Sequence, residues 1–175
     1  MATRKIKGRE PQPKADRPHM PGYGLPKAKK GLLSWTWALQ KLKKSHNYWV
    51  ATTRPDGRPH LMLVWGLWSD GVFYFSTGRQ SRKAQNVTKN SNCVIGTENA
   101  AEAVVVEGIA REVPDVSLRR KFIAACERKY KFDMSFFEGD ILNLKEPIYA
   151  VQPSLAFGLH EKKTLNSATR WHFQT

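Results

Sequence analysis

The 175-residue chain carries 29 Lys and Arg against 15 Asp and Glu, a net charge of +14, and 41% of its residues are hydrophobic. That apolar content suits the core of one domain, and no run approaches the roughly 18 apolar residues of a membrane-spanning helix or forms the apolar stretch of a secretory signal. The expectation is a soluble, cytoplasmic protein, and Cys93 and Cys126, outside any CxxC or His-bearing ligand spacing, read as buried thiols rather than a zinc site or a disulfide scaffold.

Charge is concentrated at the start of the chain. Residues 1–30 hold nine basic and two acidic side chains and five of the ten prolines, so half of the excess charge lies in this segment. Prolines keep its backbone extended and its few apolar residues do not offset the entropy of ordering it, which predicts a solvated or loosely docked basic arm. An arm dedicated to nucleic acid is the lesser reading, because only Tyr23 interrupts the charge run and residues 31–175 contain no nucleic-acid module. Those residues, 31–175, are expected to form the single folded domain.

Ser34 caps a predicted short helix with Trp35, Leu39 and Leu42 at helical spacing and Lys41, Lys43 and Lys44 toward its end. Strand patterns follow: Tyr48–Thr53, a turn at Pro55-Asp56-Gly57-Arg58, a long apolar run His60–Trp68, a tight turn at Ser69-Asp70-Gly71, and Val72–Thr77. The period then becomes helical from Ser81 to about Lys89, with Ala84 and Val87 turned inward. Two further strands are predicted at Cys93–Thr97 and Ala103–Val113, with Glu107-Gly108 marking a bulge or close backbone approach. Asp115 caps a helix running to about Lys129, with Leu118, Phe122, Ala125 and Cys126 on one side. An aromatic, acidic connection occupies 131–146, and strand character returns at Ile148–Gln152, Ser154–His160 and Ala168–Phe173. About eight short strands joined mostly by hairpins describe a mainly β fold with flanking helices. A closed or nearly closed antiparallel barrel is the economical arrangement because closure removes exposed edges, and a two-sheet sandwich satisfies the same periodicity.

The segment from Phe73 to Asn86 carries the most chemistry. A strand ends on the hydroxyls of Ser76 and Thr77, a Gly-containing loop follows, and a helix opens at Ser81-Arg82-Lys83. Unpaired backbone N–H groups at a helix start, two hydroxyls and two cations converging on one dianion make a phosphate cradle without a Walker loop; a capped surface helix bearing solvated charges is the plainer alternative. His46, His60, His160 and His172 are scattered, and a lone histidine more often satisfies local hydrogen bonds than ligates haem or a metal. The six tryptophans read mainly as core or subunit interface.

The succession of Thr77, Ser81, Arg82 and Lys83 opening a helix, preceded by the PDGRPHLMLVW and SDGVFYFST hairpins, resembles the pyridoxamine 5'-phosphate oxidase-like family of flavin-binding split β-barrels. The match runs from about Tyr48 to Val113, and the VVVEGIAREV and SATRWHF segments are also similar to members grouped as probable deazaflavin-dependent enzymes. The resemblance implies a homodimer of split barrels with FMN, or the deazaflavin F420, in a groove between subunits. It implies that Thr77, Ser81, Arg82 and Lys83 hold phosphate, that the backbone of the strand around Met62, Leu63, Val64 and Trp65 lies along the ring system, and that Arg170 and Trp171 approach from the partner subunit; Ser76 and His60 complete the expected cofactor-binding set. The true oxidase carries basic residues on its second strand, whereas Leu61–Trp68 has none. The expectation is therefore an FMN- or F420-dependent oxidoreductase acting by hydride transfer on an unidentified small molecule, distinct from the true oxidase. A non-catalytic flavin- or haem-sequestering protein is the alternative, and binding of a polyanion through the basic arm ranks below both.

Overall fold

The computed structural model describes residues 10–174. The basic residues Arg4, Lys5, Lys7 and Arg9 of the arm lie outside the described residues. In chain order the elements are β1 (Lys14–Asp16), α1 (Trp35–Lys44), β2 (Tyr48–Thr53), β3 (Pro59–Val64), β4 (Gly66–Ser69), β5 (Val72–Ser76), α2 (Arg82–Lys89), β6 (Asn92–Thr97), β7 (Glu102–Glu112), α3 (Val116–Tyr130), α4 (Ser135–Leu142), β8 (Ile148–His160) and β9 (Thr169–His172), with a 3-10 segment at Glu161–Ser167.

Every strand pairing is antiparallel, and with the chain running from β3 into β4 the pairings describe a nearly closed ring. β2 pairs with β3 and β6, β6 with β7, β7 with β8, β8 with β5, and β5 with β4, which follows β3 after a break at Trp65. The barrel reading is borne out, and a separate two-sheet sandwich does not describe these pairings. The ring is split at β3, which pairs only with β2 and leaves its other edge without a strand partner among the described residues.

Two of the expected strands are drawn differently. The run His60–Trp68 is not one strand, because it serves two partners: β3 follows β2, the chain breaks at Trp65, and β4 follows β5. Conversely, Ile148–Gln152 and Ser154–His160 form the single strand β8. Pro153 is accommodated where the register against β7 shifts at Glu107/Gly108, the expected bulge. The arm also departs from a solvated or loosely docked segment. Lys14, Ala15 and Asp16 pair with His172, Trp171 and Arg170 of β9, and the Arg17 guanidinium donates to the carbonyls of Ala28, Lys30, Asn166 and Ala168. Prolines forbid regular structure around this strand, but they do not prevent three residues from extending a sheet edge.

Alternation along the strands places Tyr48, Val50, Phe73, Phe75, Ile95, Val104, Val106, Val151 and Trp171 inside the barrel, all wholly buried. Helix α1 plugs one end: its N-cap Ser34 accepts from the Trp37 N–H, and Trp35 meets Trp68, Trp171 and Phe173 edge-on at 5.8, 5.4 and 5.1 Å. A second core, built on Phe122, Ile123, Cys126, Tyr130, Ile141 and Ile148, fastens α3 and α4 to the outside of the barrel. Among the described residues no helix is long and apolar enough to cross a membrane.

Candidate functional site

Thr77, just beyond the end of β5, and Ser81, at the start of α2, lie side by side, the place where the sequence suggested a phosphate cradle. Ser81 caps α2, its Oγ accepting from the Ala84 N–H at 3.2 Å, and lies 3.0 Å from the Thr77 Oγ1. The two hydroxyls therefore sit together at the helix start, where the first turn leaves N–H groups without intrahelical partners. Ser76 is engaged elsewhere, donating to the Pro147 carbonyl at 2.9 Å. Asn86, wholly buried on α2, donates from Nδ2 to the Thr52 Oγ1 at 2.9 Å and so fixes the helix against β2.

The pairing of β2 with β3 carries His60 to this helix start, and Arg54, just beyond β2, comes with it. Burial holds the His60 imidazole below the ordinary histidine range, and the nearby charges of Arg54, Lys83 and Arg82 push it the same way. Burial also lowers the Lys83 ammonium from its usual value. Arg54, Arg82 and Lys83 make no ion pair among the described residues. The buried Arg54 Nε and His60 Nδ1 have no hydrogen-bond partner. Cations without an ion pair around His60, together with buried nitrogens without a partner among the described residues, are costly unless an anion completes them, so these residues fit a phosphate or another oxyanion.

Arg54 was not singled out from the sequence. The signal available was a basic residue at the mouth of the same hairpin whose other strand begins next to His60.

Beyond His60, β3 presents Leu61, Met62 and Leu63 at 56, 47 and 43% exposure, with Trp49 alongside on β2. These are large apolar side chains on an unpaired strand edge, suited to a flat ring or a second subunit. Val64 is buried in the core, so only its backbone is available. Trp65, at the break, stacks on Tyr130 with centroids 4.4 Å apart and planes 8° from parallel. The break itself is pinned from α3: Tyr130 Oη accepts from the Gly66 N–H at 2.7 Å, while Lys129 Nζ donates to the Gly66 carbonyl at 2.9 Å and to Tyr48 Oη at 2.8 Å.

Arg170 and Trp171 are not brought to this cluster within the chain. They pair with Phe157 and Ala156 on the half of β8 remote from Ile148, the residue that pairs with Ser76. Trp171 is wholly buried in the core, and Arg170 grips Asp16 with both carboxylate oxygens at 2.9 and 3.0 Å.

A second feature adjoins the cradle. A cavity of about 560 Å³ opens between the end of β5, α3 and α4, walled by Trp65, Ser76, Thr77, Phe122, Phe132, Phe136 and Ile141 among others. Arg119, wholly buried on α3, shapes it by donating to the carbonyls of Val113, Ile141 and Glu146 at 2.6 to 2.8 Å. The sequence offered Arg119 no role beyond a charged position on a helix.

Comparison with curated protein sequences gives no match. Among solved structures, similar folds include an F420 reductase, with 22% identity over 67% of this chain and 93% of that chain and a TM-score of 0.56. A FAD-binding protein from Mesorhizobium loti has 17% identity over 79% of this chain and 95% of that one, at a TM-score of 0.57. HutZ, a haem storage protein from Vibrio cholerae, has 16% identity over 66% and 87%, at 0.54. At these identities the likeness establishes the fold alone. The family model for pyridoxamine 5'-phosphate oxidase matches residues 38–146, a span that contains β2, β3, β5 and the whole cradle. With more than half of its length so matched, the chain belongs to the pyridoxamine 5'-phosphate oxidase family.

Proposed function

We propose that this protein binds FMN, or the deazaflavin F420, and is an oxidoreductase that uses it on a small organic molecule. The observation that carries the reading is that Arg54, Arg82 and Lys83, without an ion pair among the described residues, all act on His60, while Arg82 and Lys83 open α2 beside the Thr77 and Ser81 hydroxyls. In the bound state Thr77, Ser81, Arg82 and Lys83 hold the phosphate, Arg54 and His60 supply further donors, and the exposed edge of β3 around Met62 and Leu63 lies along the ring. Such a cofactor supplies hydride transfer, and the protein's own part is to orient substrate and exclude water. Family membership and the F420 reductase and FAD-binding proteins of similar fold support the reading. The unpaired β3 edge supports a homodimer with the cofactor between subunits.

A non-catalytic haem or flavin store rests on the fold likeness to HutZ alone. Among the described residues no three His, Cys, Asp or Glu side chains gather as a metal site, although a single haem ligand would escape that pattern.

The test is titration of purified protein with FMN and with F420, followed by visible absorbance. Replacing Arg82 and Lys83 together by Ala is expected to weaken binding by about 1.5 to 3 kcal/mol per lost charge-assisted bond while the thermal midpoint stays in place. Failure of both cofactors to bind at micromolar concentration, or equal binding by the variant, overturns the proposal.

A further inference from the structure

The cavity beside the cradle differs from the rest of the molecule in charge and in lining. We propose that it binds a flat, apolar small molecule that is neutral or cationic, and that it rejects anions. Taken as the substrate position, this rests on the cofactor reading above, because Thr77 lines both the cavity and the cradle. As a binding site it stands on its own geometry.

A volume of about 560 Å³ lies within the range of small-molecule pockets, roughly 300 to 1,000 Å³. Its walls come from three directions: the end of β5, the α3 face bearing Phe122 and Cys126, and Ile141 of α4. The open side carries rings. Phe132 meets Trp65 edge-on at 5.4 Å, and Phe136 and Phe137 stand edge to face at 5.0 Å. Phe136 is 85% exposed, an apolar cost that a stacked ligand would relieve. Aromatic faces of this kind accept planar rings and also attract cations.

The charge of the lining sets the class. In a chain with a net charge of +14, no Lys or Arg among the described residues lines this cavity, while two acidic residues, Asp140 and Glu146, do. Lys145 lies 3.2 Å from Asp140 but both side chains are more than half exposed, so the pair is screened by water. The remaining titratable wall group, the Cys126 thiol, is pushed up to about 12 by burial and stays protonated and neutral. An anion entering here would lose water without gaining a cation, whereas phosphate esters are served by the adjoining cradle. A small molecule suits the site better than a partner surface because the cavity is concave and Ser76 and Thr77 add polar residues to its apolar lining.

The experiment compares three probes built on one ring: naphthalene-2-methanol, 2-naphthylmethylammonium and 2-naphthoate. Each is titrated into the full chain by calorimetry, with and without bound FMN or F420. The neutral and cationic probes are expected to bind, and the anion at least tenfold more weakly. Phe136→Ala, at an exposed position, should weaken the neutral probe severalfold without moving the thermal midpoint, and Asp140→Asn should narrow the gap between cation and anion. Equal binding of the anion, or no binding of any probe, overturns the proposal. So does displacement of the probes by the cofactor, which would make this the cofactor's own ring slot. Conversion of a dimer to a monomer by Phe136→Ala, with no probe bound by wild type, would show a subunit contact instead. Binding of the probes to a protein that takes up neither FMN nor F420 sustains the cavity and removes the proposed cofactor chemistry, so the two failures are distinct.

Discussion

His60 is surrounded by cations and has a buried nitrogen with no partner, which makes its titration a direct readout of the cradle. An oxyanion placed among Arg54, Arg82 and Lys83 offsets their repulsion and favours the imidazolium. Addition of inorganic phosphate, FMN or F420 is therefore expected to raise the His60 midpoint, followed by NMR of the ring protons, and an unmoved midpoint would show that the anion binds elsewhere. Lys129 gives a second titration of opposite use. Burial brings its pKa down from 10.5 to about 8. Below about 8 the lysine is charged in both folded and unfolded chains and its burial cost is fully present; between 8 and 10.5 the folded protein releases the proton while the unfolded chain keeps it, so its contribution to stability rises with pH. Tyr130 and Cys126, both pushed up by burial to about 12, work in the opposite direction. The difference between wild type and Lys129→Met isolates the lysine: measured by urea unfolding, it should shift in favour of wild type as pH rises through that window, and a flat difference would refute the assignment.

At the scale of elements, the bulge between β7 and β8 is the feature with the clearest cost. Glu107 pairs with Leu155 and Gly108 with Pro153, so Ser154 is left out of the ladder; its carbonyl instead accepts from the Phe173 N–H at 3.1 Å and its hydroxyl donates to the Glu107 carbonyl at 3.2 Å. A Cβ at Gly108 would run into the Gln152 carbonyl oxygen and come within 2.9 Å of a Val151 methyl. Gly108→Ala is expected to destabilise the protein by about 1 to 3 kcal/mol, seen as a lowered urea midpoint, because backbone cannot yield as a flexible side chain would. Helix α2 illustrates the converse, an element whose local signals agree. Ser81 caps it, Ala84 and Val87 are buried as their spacing predicts, and the same cap places Arg82 and Lys83 where an anion would bind. Helix α3 keeps Phe122 and Cys126 inward as expected, yet its most buried position is Arg119. Helical spacing cannot announce a guanidinium that is buried because the carbonyls of Val113, before the helix, and of Ile141 and Glu146, well beyond it, close around it.

For the whole molecule, residues 10–30 act as a strap rather than a free polycation. Three residues extend the sheet at β9, Arg17 fans out to four carbonyls, and Asp16 takes both Arg170 and His172. Deleting residues 1–30 is expected to lower the unfolding free energy by about 2 kcal/mol or more, given several hydrogen bonds from charged groups, and an unchanged thermal midpoint would mean that the strap contributes nothing. The periodicity of Tyr48–Thr53, Val72–Thr77 and Cys93–Thr97 was enough to identify the strands, and Ser81 was enough to identify the start of α2, because strand faces and helix caps are governed by neighbours in sequence. Arg54, the split of His60–Trp68 at Trp65, the docking of Lys14–Asp16 and the cavity between β5, α3 and α4 were not legible in that way. Apolar spacing reports which side of an element is buried but not which element covers it, and each of these features depends on groups far apart in the chain meeting when the barrel closes.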